Sequence, residues 1–206
     1  MAIETVQVPL TTTAIATSMT IPQHYTLFDT AFGHCALAWH AHALTAVRLP
    51  DQSDALTRAN LLARQRDAVQ SPEDWPEAAA WPAFVTTAVQ SIRAHLGGQP
   101  HDLRDLPLEF SGMQPFETRV YAAARALDPG QTCTYGEMAN AIGEPGAMRA
   151  VGQALGHNPW PLVVPCHRVL AAGGRLGGFS APGGSETKRR LLVLEMGMFH
   201  REGELF

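Results

Sequence analysis

The chain has 206 residues, of which 46% are hydrophobic and 17% charged, and its formal net charge is −4. This length can bury the core of one large domain or two small ones, and the apolar content excludes an intrinsically disordered protein. No apolar run reaches the roughly 18 residues of a membrane span, so we expect no membrane partner. The three cysteines (Cys35, Cys133, Cys166) are odd in number and lack CxxC spacing, which favours free thiols in a reducing cytoplasm over a disulfide scaffold.

The first part of the chain predicts a loose arm followed by a small antiparallel sheet. Residues 1–22 are Thr-rich, carry Glu4 and Pro9 and lack the basic start of a secretory signal, so we expect an irregular arm rather than a signal peptide. Between Tyr25 and Leu49, hydrophobic and polar residues alternate, which is typical of half-buried strands. The positions expected on one face are Cys35, Leu37, Trp39, Ala41, Ala43, Thr45, Val47 and Leu49, with His34, His40, His42 and Arg48 on the other.

Two helices are predicted next, at about residues 53–68 and 81–96. The second has hydrophobic residues at helical spacing and is stopped by Gly97 and Gly98. The segment from Pro100 to Pro107 is polar and rich in turn residues, and we expect a linker there. The chain is thereby divided into the arm (1–22), a first module (23–107) and a second module (108–206).

The second half predicts mostly helices. Pro115 stands where a helix can begin, and Thr134 with Glu137 forms a capping-box pattern for a helix from Tyr135 to Ile142. A turn containing Gly and Pro then leads to a helix from Ala147 to about Leu155. Two short helices joined by a tight turn are typical of a helix-turn-helix motif. The small residues on the second helix would let a partner approach closely, and close packing between helices is the alternative.

Basic side chains are concentrated in one stretch of this acidic chain. Residues 145–190 carry six of them against the single acid Glu186. A local positive surface suits phosphate contacts, because charges are screened beyond about 10 Å at physiological salt. On charge alone, however, an ordinary solvated surface is the better interpretation. The six are Arg149, Arg168, Arg175, Lys188, Arg189 and Arg190.

A short apolar run ends at a Cys-His pair. Residues 162–164 are followed by Pro165, Cys166 and His167. A thiol with an ordinary pKa of about 8.5 is mostly protonated at neutral pH, so its attack on carbon needs a base or a positive field. His167 could be that base, and a buried carboxylate such as Glu195 could orient its ring. Taken alone, such a dipeptide is more often a buried thiol beside a surface imidazole.

The longer string around this pair resembles the O6-alkylguanine-DNA alkyltransferases, also called methylated-DNA–protein-cysteine methyltransferases. The resemblance is close from about residue 113 to 196, and the first hundred residues fit only loosely. The matching motifs are Gln114-Pro115-Phe116, Thr134-Tyr135-Gly136-Glu137, Arg149-Ala150-Val151-Gly152, Asn158-Pro159, Pro165-Cys166-His167-Arg168, Gly177-Gly178-Phe179-Ser180, and Lys188 with Leu191-Leu192 and Glu195.

The resemblance implies a mixed α/β fold, with a ribonuclease-H-like N-terminal module and a mostly helical, winged-helix-like C-terminal domain. It implies DNA repair by direct reversal: O6-alkylguanine, and O4-methylthymine, is flipped out of duplex DNA and its alkyl group moves irreversibly to Cys166, once per molecule. No metal or nucleotide cofactor is needed, because the substrate carries its own activated alkyl group. Double-stranded DNA is the implied partner of an expected monomer, located in the cytoplasm of a bacterium or the nucleus of a eukaryote.

The resemblance also assigns catalytic roles by position. Cys166 is the implied alkyl acceptor, and His167 takes its proton through a water while Glu195 holds the other ring nitrogen. Asn158 braces the turn that carries the cysteine, and the Tyr135 hydroxyl faces N3 of the leaving guanine. The carbonyls of Cys166 and Val169 accept from the guanine amino group, and Ser180 donates to O6. The implied apolar pocket wall consists of Phe179, Leu155 and Trp160.

The implied DNA contacts lie on the helix pair. Arg149 enters the base stack in place of the flipped nucleotide, which offsets part of a flipping cost of a few kcal/mol. Thr134, Ala147 and Gly152 lie at the same surface, where small residues suit a narrow minor groove. Glu144 departs from the Asn that is usual in this turn and places a negative charge near phosphate.

Other interpretations of the chain remain open at this point. His34, Cys35, His40 and His42 could suggest zinc, but Cys35 faces away from the three histidines on a strand, so we expect no metal. A damage-recognition protein that binds alkylated DNA without transfer is the alternative from the binding class, and Cys166 argues against it. A thiol hydrolase using Cys166 and His167 is the third, but it gives no reason for Arg149 or the helix pair.

Overall fold

The computed structural model describes residues 24–63, 81–99 and 101–199. The predicted mixed α/β class is confirmed, with an antiparallel sheet in the first half and mainly helices in the second. The predicted arm and residues 64–68 of the first predicted helix lie outside the described ranges. Across those ranges, no helix combines the length and apolar character needed to cross a membrane.

The elements follow in this order along the chain. The first half holds β1 (His24–Phe28), β2 (Cys35–His40), β3 (Ala43–Arg48), α1 (Asp54–Leu62) and α2 (Ala83–Leu96). The second half holds α3 (Pro115–Arg125), β4 (Cys133–Thr134), α4 (Tyr135–Ala141), α5 (Met148–Gly156), β5 (Val169–Leu170) and α6 (Gly184–Phe199). The predicted helix starts at about residues 53, 81, 115, 135 and 147 are confirmed within two residues.

The sheet has the order β1-β2-β3 with antiparallel pairing throughout, but the predicted alternation fails in β3. Ala38 pairs with Ala46 while Trp39 pairs with Leu44, so Thr45 is an extra residue that forms a bulge. Leu44 therefore enters the core, whereas Ala43 and Thr45, which were expected on the inner face, are only half-buried.

Both faces of this sheet are covered. Ala36, Ala38 and Ala46 form one buried cluster with Leu61 of α1, and their small side chains let that helix pack closely. The other face, with Leu37 as one of its buried residues, packs against α2 in the main hydrophobic core. That core continues without interruption into the helices of the second half.

The segment predicted as a linker is instead packed against the core. Leu103 and Leu106 are buried within it. Immediately beyond, the Leu44 N–H donates to the Pro107 carbonyl and the Glu109 N–H donates to the Leu44 carbonyl, at 2.8 and 3.0 Å. The polar composition of the segment gave no indication that these two leucines are buried. The division of the chain into two modules near residue 107 remains a prediction.

The helix pair forms as the capping pattern predicted. The Glu137 N–H donates to Thr134 Oγ1 at 3.2 Å, and the Thr134 N–H donates to the Glu137 carboxylate at 2.6 Å. The two-residue strand β4, directly before α4, pairs in parallel with β5, which follows the Cys166 turn. This pairing brings the start of α4, with Tyr135, alongside the segment that carries the cysteine.

The first half of the chain also supports that segment directly. The Val47 N–H and the Arg48 guanidinium donate to the Pro159 carbonyl at 2.9 and 3.0 Å. Trp160 Nε1 donates to the Leu44 carbonyl at 2.8 Å. Strand β3 therefore anchors the residues that lead into the Cys-His pair.

Candidate active site

Cys166 lies at the first position of a short 3₁₀ turn, Cys166–Arg168. The preceding run is a tight turn in which the Val164 N–H donates to the Trp160 carbonyl and Leu162 has a φ of 80°. A buried leucine in the left-handed region is strained, and such strain persists only where packing and hydrogen bonds hold the backbone. The chain is thus held in one conformation as it reaches the thiol.

Asn158 holds this turn and also contacts the sulfur. Its Nδ2 donates to the Val164 carbonyl at 2.8 Å and to Cys166 Sγ at 3.3 Å. Its Oδ1 accepts the Trp160 N–H at 2.9 Å. The bracing position implied for Asn158 therefore matches the geometry, and the side chain in addition supplies a hydrogen bond that favours a thiolate.

The thiol of Cys166 is nevertheless protonated at neutral pH. Its pKa is raised, because burial disfavours the thiolate more than the Asn158 hydrogen bond and the positive charge of Lys188 favour it. Cys166 is only 6% exposed. An attack by this sulfur consequently requires a base that removes the proton as the reaction proceeds.

His167 is fully buried and is oriented by Glu195. Its Nε2 lies 2.9 Å from Glu195 Oε1, and burial lowers the pKa of the imidazole against the opposing effect of that carboxylate. A neutral ring that donates from Nε2 to Glu195 carries its lone pair on Nδ1. Among the described residues Nδ1 has no hydrogen-bond partner. The ring is thus held in the tautomer that can accept a proton at Nδ1.

Glu195 is the centre of a larger buried cluster than the sequence predicted. Arg168 donates to both carboxylate oxygens at 2.8 and 2.9 Å, and the Gly130 N–H donates to Oε2 at 3.2 Å. His95, from α2, places its Nε2 3.0 Å from Oε1. Burial alone would raise the pKa of the Glu195 carboxyl, but the hydrogen bonds from His167, His95 and Arg168 hold it well below its usual range.

A cavity of about 260 Å³ opens beside Cys166. Its lining includes most of the predicted pocket residues, and glycines provide much of the remainder. The lining residues are Tyr135, Gly152, Leu155, Gly156, Cys166, Gly178, Phe179 and Ser180. The volume approaches the lower end of the range for small-molecule sites. An apolar wall with a thiol and two hydroxyl groups is therefore the arrangement that the structure builds.

The prediction that Trp160 walls this pocket is wrong. Trp160 is fully buried in the core, stacks edge-on against Tyr121 and is not among the cavity residues. The hydrogen bond from its Nε1 to the Leu44 carbonyl helps to hold the ring in the core. Val169 is also buried outside the lining, and its carbonyl accepts from Lys188 Nζ at 2.6 Å.

Tyr135 and Lys188 meet at the edge of the cavity. Burial raises the pKa of the Tyr135 hydroxyl, which keeps it a donor at neutral pH. Lys188 Nζ lies 5.9 Å from the centre of the Tyr135 ring, and burial lowers the pKa of this ammonium group. Gly177, with a φ of 67°, passes so close that an added Cβ would lie 3.6 Å from the Tyr135 oxygen. The sequence motif contained Lys188, but no pattern indicated that it is buried.

The predicted DNA-binding residues lie around the start of α5. Arg149 is exposed there, and a second cavity of about 410 Å³ lies between α4, α5 and residues 171–172. Thr134, Arg149 and Gly152 line this cavity, whereas Ala147 is half-buried and packs against the core. Met148, a large apolar side chain at the start of α5, also lines this cavity and is 52% exposed.

The basic stretch contributes less surface charge than its composition predicted. Arg168 and Lys188 are buried in the site, and Arg189 pairs with Glu186 at 2.7 Å. The Arg190 guanidinium stacks over the Phe32 ring at 4.3 Å. Glu144, in the turn between α4 and α5, pairs with Arg119 at 2.7 Å, so part of its negative charge is compensated.

The histidines near Cys35 serve other contacts. His34 pairs with Asp54 at 2.8 Å, and His40 approaches Glu109 at 3.5 Å. Cys35 is fully buried, and burial raises the pKa of its thiol to about 12. Within residues 24–63, 81–99 and 101–199, no group of three or more His, Cys, Asp or Glu side chains is arranged to hold a metal ion.

Comparison with known proteins extends the similarity beyond these motifs. Residues 115–197 match the family model described as 6-O-methylguanine DNA methyltransferase, DNA binding domain. A methylated-DNA–protein-cysteine methyltransferase of Mycobacterium bovis is 37% identical over 172 residues, which cover 84% of this chain and 92% of the relative. One from Methanosarcina acetivorans is 31% identical over 172 residues, covering 84% and 97%. The crystal structure of Mycobacterium tuberculosis OGT in complex with DNA gives a TM-score of 0.64 at 34% identity, covering 85% of this chain and 99% of that one.

Proposed function

Because the chain belongs to the methylated-DNA–protein-cysteine methyltransferase family, we propose that it repairs alkylated DNA by moving the alkyl group of O6-alkylguanine to Cys166. The observation that carries this proposal is the placement of the Cys166 thiol in the wall of a cavity, next to a buried, neutral His167 that Glu195 orients. The relative crystallised with DNA supports a DNA substrate for this chain as well.

The transfer proceeds by displacement at the alkyl carbon. The thiol proton of Cys166 passes through a bridging water to His167 Nδ1, the S–C bond forms, and the bond between the carbon and O6 breaks. The electron pair of that bond goes to the guanine, whose N3 faces the Tyr135 hydroxyl. The guanine takes a proton at N3 from the Tyr135 hydroxyl and leaves neutral; Tyr135 recovers a proton from solvent as His167 releases the thiol proton to solvent. The net change is that the alkyl group replaces the thiol hydrogen. The product on the protein is a thioether without a leaving tendency, and each molecule therefore acts once.

The reacting base reaches the cavity only outside the helix stack. In-line attack requires the pocket to surround the base, so the nucleotide is flipped out. Arg149, exposed at the start of α5, fills the gap in the stack, and the small residues near it permit a close approach to the minor groove. The Ser180 hydroxyl, in the cavity wall, donates to O6.

The experiment that tests this function uses duplex DNA with a labelled methyl group on O6 of one guanine. The expected result is one equivalent of label on the peptide containing Cys166, with no second turnover. Cys166→Ala should bind the same duplex without taking label. Cys133→Ala is the matched control, because Cys133 is a half-buried thiol before α4 and should leave transfer intact.

The other outcomes identify the competing functions. Tight binding of the alkylated duplex by the unaltered protein without any label on Cys166 would indicate a damage-recognition protein. Repeated turnover of an ester or peptide, with a transient acyl group on Cys166, would indicate a thiol hydrolase. The same duplex carrying O4-methylthymine determines whether the site also accepts that base.

A further inference from the structure

His95 contacts Glu195, the carboxylate that orients His167, although the two residues are 100 positions apart in the sequence. It projects from α2 in the first half of the chain and is fully buried. We infer that His95 is a positioning residue for alkyl transfer: from α2, it fixes the Glu195 carboxylate against His167. The inference rests on the proposed function and adds a contribution from the N-terminal half to it.

Both ring nitrogens of His95 lie within hydrogen-bond distance of an oxygen atom. Nε2 faces Glu195 Oε1 at 3.0 Å, and Nδ1 faces the His101 carbonyl at 3.2 Å. In this orientation Nε2 faces the carboxylate, and rotation of the imidazole ring would move Nε2 away from Glu195 Oε1.

His95 shares one carboxylate oxygen with the catalytic imidazole. Oε1 of Glu195 lies 2.9 Å from His167 Nε2, 3.0 Å from His95 Nε2 and 2.8 Å from Arg168 Nη2. The charged and titratable groups around Glu195 in the described residues are these three side chains. Because three donors share one oxygen, the carboxylate is held in one rotamer and His167 does not take its full negative charge.

Removal of His95 would therefore have two effects, one on the orientation of His167 and one on its pKa. The carboxylate would lose one of the contacts that hold its rotamer, so the His167 ring would be less well oriented and transfer would slow. At the same time Oε1 would interact more strongly with His167, and the electrostatic effect by which His95 lowers the pKa of His167 would be lost. Both changes raise the pKa of His167, so the base would become protonated, and inactive, at a higher pH.

Three variants test this inference. His95→Phe removes both ring nitrogens but keeps an aromatic ring. His95→Gln keeps an amide Nε2 that can donate to Glu195. Ser91→Ala is the matched control, because it breaks the contact of α2 with His101 at a buried position one turn earlier and leaves Glu195 untouched.

Two rates are measured as a function of pH: methyl transfer from the labelled duplex, and alkylation of Cys166 by iodoacetamide, followed on its peptide by mass spectrometry. For His95→Phe we expect about a tenfold loss in both rates, which is the scale of one hydrogen bond to a charged group. We also expect the acid limb, the fall in rate on the acid side of the pH profile, to move to higher pH. His95→Gln should recover most of the rate, and Ser91→Ala should keep the wild-type rate and acid limb.

Several results would overturn the inference. They are an unchanged rate and pH profile in His95→Phe, an equal loss in Ser91→Ala, or a failure of His95→Gln to recover the rate. If His95→Phe does not fold, His95→Gln is compared with Ser91→Ala instead. The inference then requires that His95→Gln keeps the reaction rate at neutral pH but loses it on acidification at a higher pH than Ser91→Ala does. If the unaltered protein takes no methyl group from DNA, the proposed function fails, while the iodoacetamide profiles still decide the role of His95.

Discussion

The amide nitrogen of Asn158 lies 3.3 Å from the sulfur of Cys166 and 2.8 Å from the carbonyl oxygen of Val164. One side chain thereby fixes the turn before the nucleophile and donates to the nucleophile itself. The Val164 carbonyl also accepts the Cys166 N–H at 2.8 Å, so the turn and the thiol share a single hydrogen-bonded unit. Changes at Asn158 should consequently affect stability and thiol chemistry together.

Asn158→Ala should lower both the stability and the reactivity of the protein. It leaves the buried Trp160 N–H without the acceptor that Asn158 Oδ1 provides, and we expect the free energy of unfolding to fall by about 2 kcal/mol. Loss of the donor to Sγ should slow alkylation of Cys166 about tenfold. Denaturant unfolding and iodoacetamide labelling measure the two effects.

A second substitution separates the bracing role of Asn158 from its contact with the sulfur. Asn158→Asp keeps an acceptor for the Trp160 N–H but places a carboxylate oxygen toward Sγ, so thiol reactivity should fall below that of the Ala variant. Asn140→Ala, at an exposed position on α4, is the control and should change the free energy of unfolding by less than about 0.5 kcal/mol. Equal thiol reactivity in the Ala and Asp variants would contradict a direct effect on the sulfur.

Arg149→Ala should impair repair in duplex DNA far more than reaction with a free alkylated base. Only the duplex requires a flipped nucleotide and a filled gap, so transfer from duplex should slow by about tenfold or more. Reaction with free O6-alkylguanine should stay within about twofold of the wild-type rate. Arg175→Ala removes an equal charge from an exposed position in the same stretch and controls for simple phosphate attraction. Equal losses with both substrates would reject the stack-filling role.

Trp160→Phe should affect stability without affecting transfer. The substitution keeps an aromatic ring in the core but removes the Nε1 hydrogen bond to Leu44, so we expect a loss of about 1–2 kcal/mol in the free energy of unfolding. Transfer from duplex should remain within about twofold, because the ring does not line the cavity. Leu155→Ala, in the cavity wall, provides the contrast and should slow transfer. A slow Trp160→Phe variant of normal stability would restore the pocket-wall interpretation.

Local patterns were predictable from the sequence because short-range physics decides them. The Thr134–Glu137 capping box needs residues only three apart, and it forms as predicted. The meeting of His167 with Glu195 followed from a resemblance that covers both positions, and a 2.9 Å contact joins them. Helix starts and glycine stops were found for the same reason, since each depends on a few neighbouring residues.

Features that depend on tertiary packing were not predictable in this way. The bulge at Thr45 appears only when β3 is paired with β2, and it changes which residues at the start of β3 enter the core. Leu103 and Leu106 fill the core from a segment whose composition is polar. His95 meets Glu195 across the two halves of the chain, and no spacing within either half indicates that contact.

The stability of the protein should fall as the pH is lowered from 7.5 to 5. His167 is neutral when folded because burial lowers its pKa, whereas the unfolded chain binds a proton at this residue below about pH 6.5. The unfolded state then binds more protons than the folded state, and the free energy of unfolding decreases by up to about 1.4 kcal/mol per pH unit for this one group. The pKa of Glu195 is also held down in the folded state, so its contribution is lost only below about pH 4.3.

His167→Gln should flatten this dependence, and denaturant unfolding at a series of pH values measures it. The difference in slope between wild type and variant isolates the contribution of His167 from that of the other titratable groups. His42→Gln, which removes an exposed histidine from the turn between β2 and β3, is the control and should keep the wild-type slope. A wild-type slope in His167→Gln would mean that this imidazole is already protonated in the folded protein, and a protonated ring cannot take the proton of Cys166.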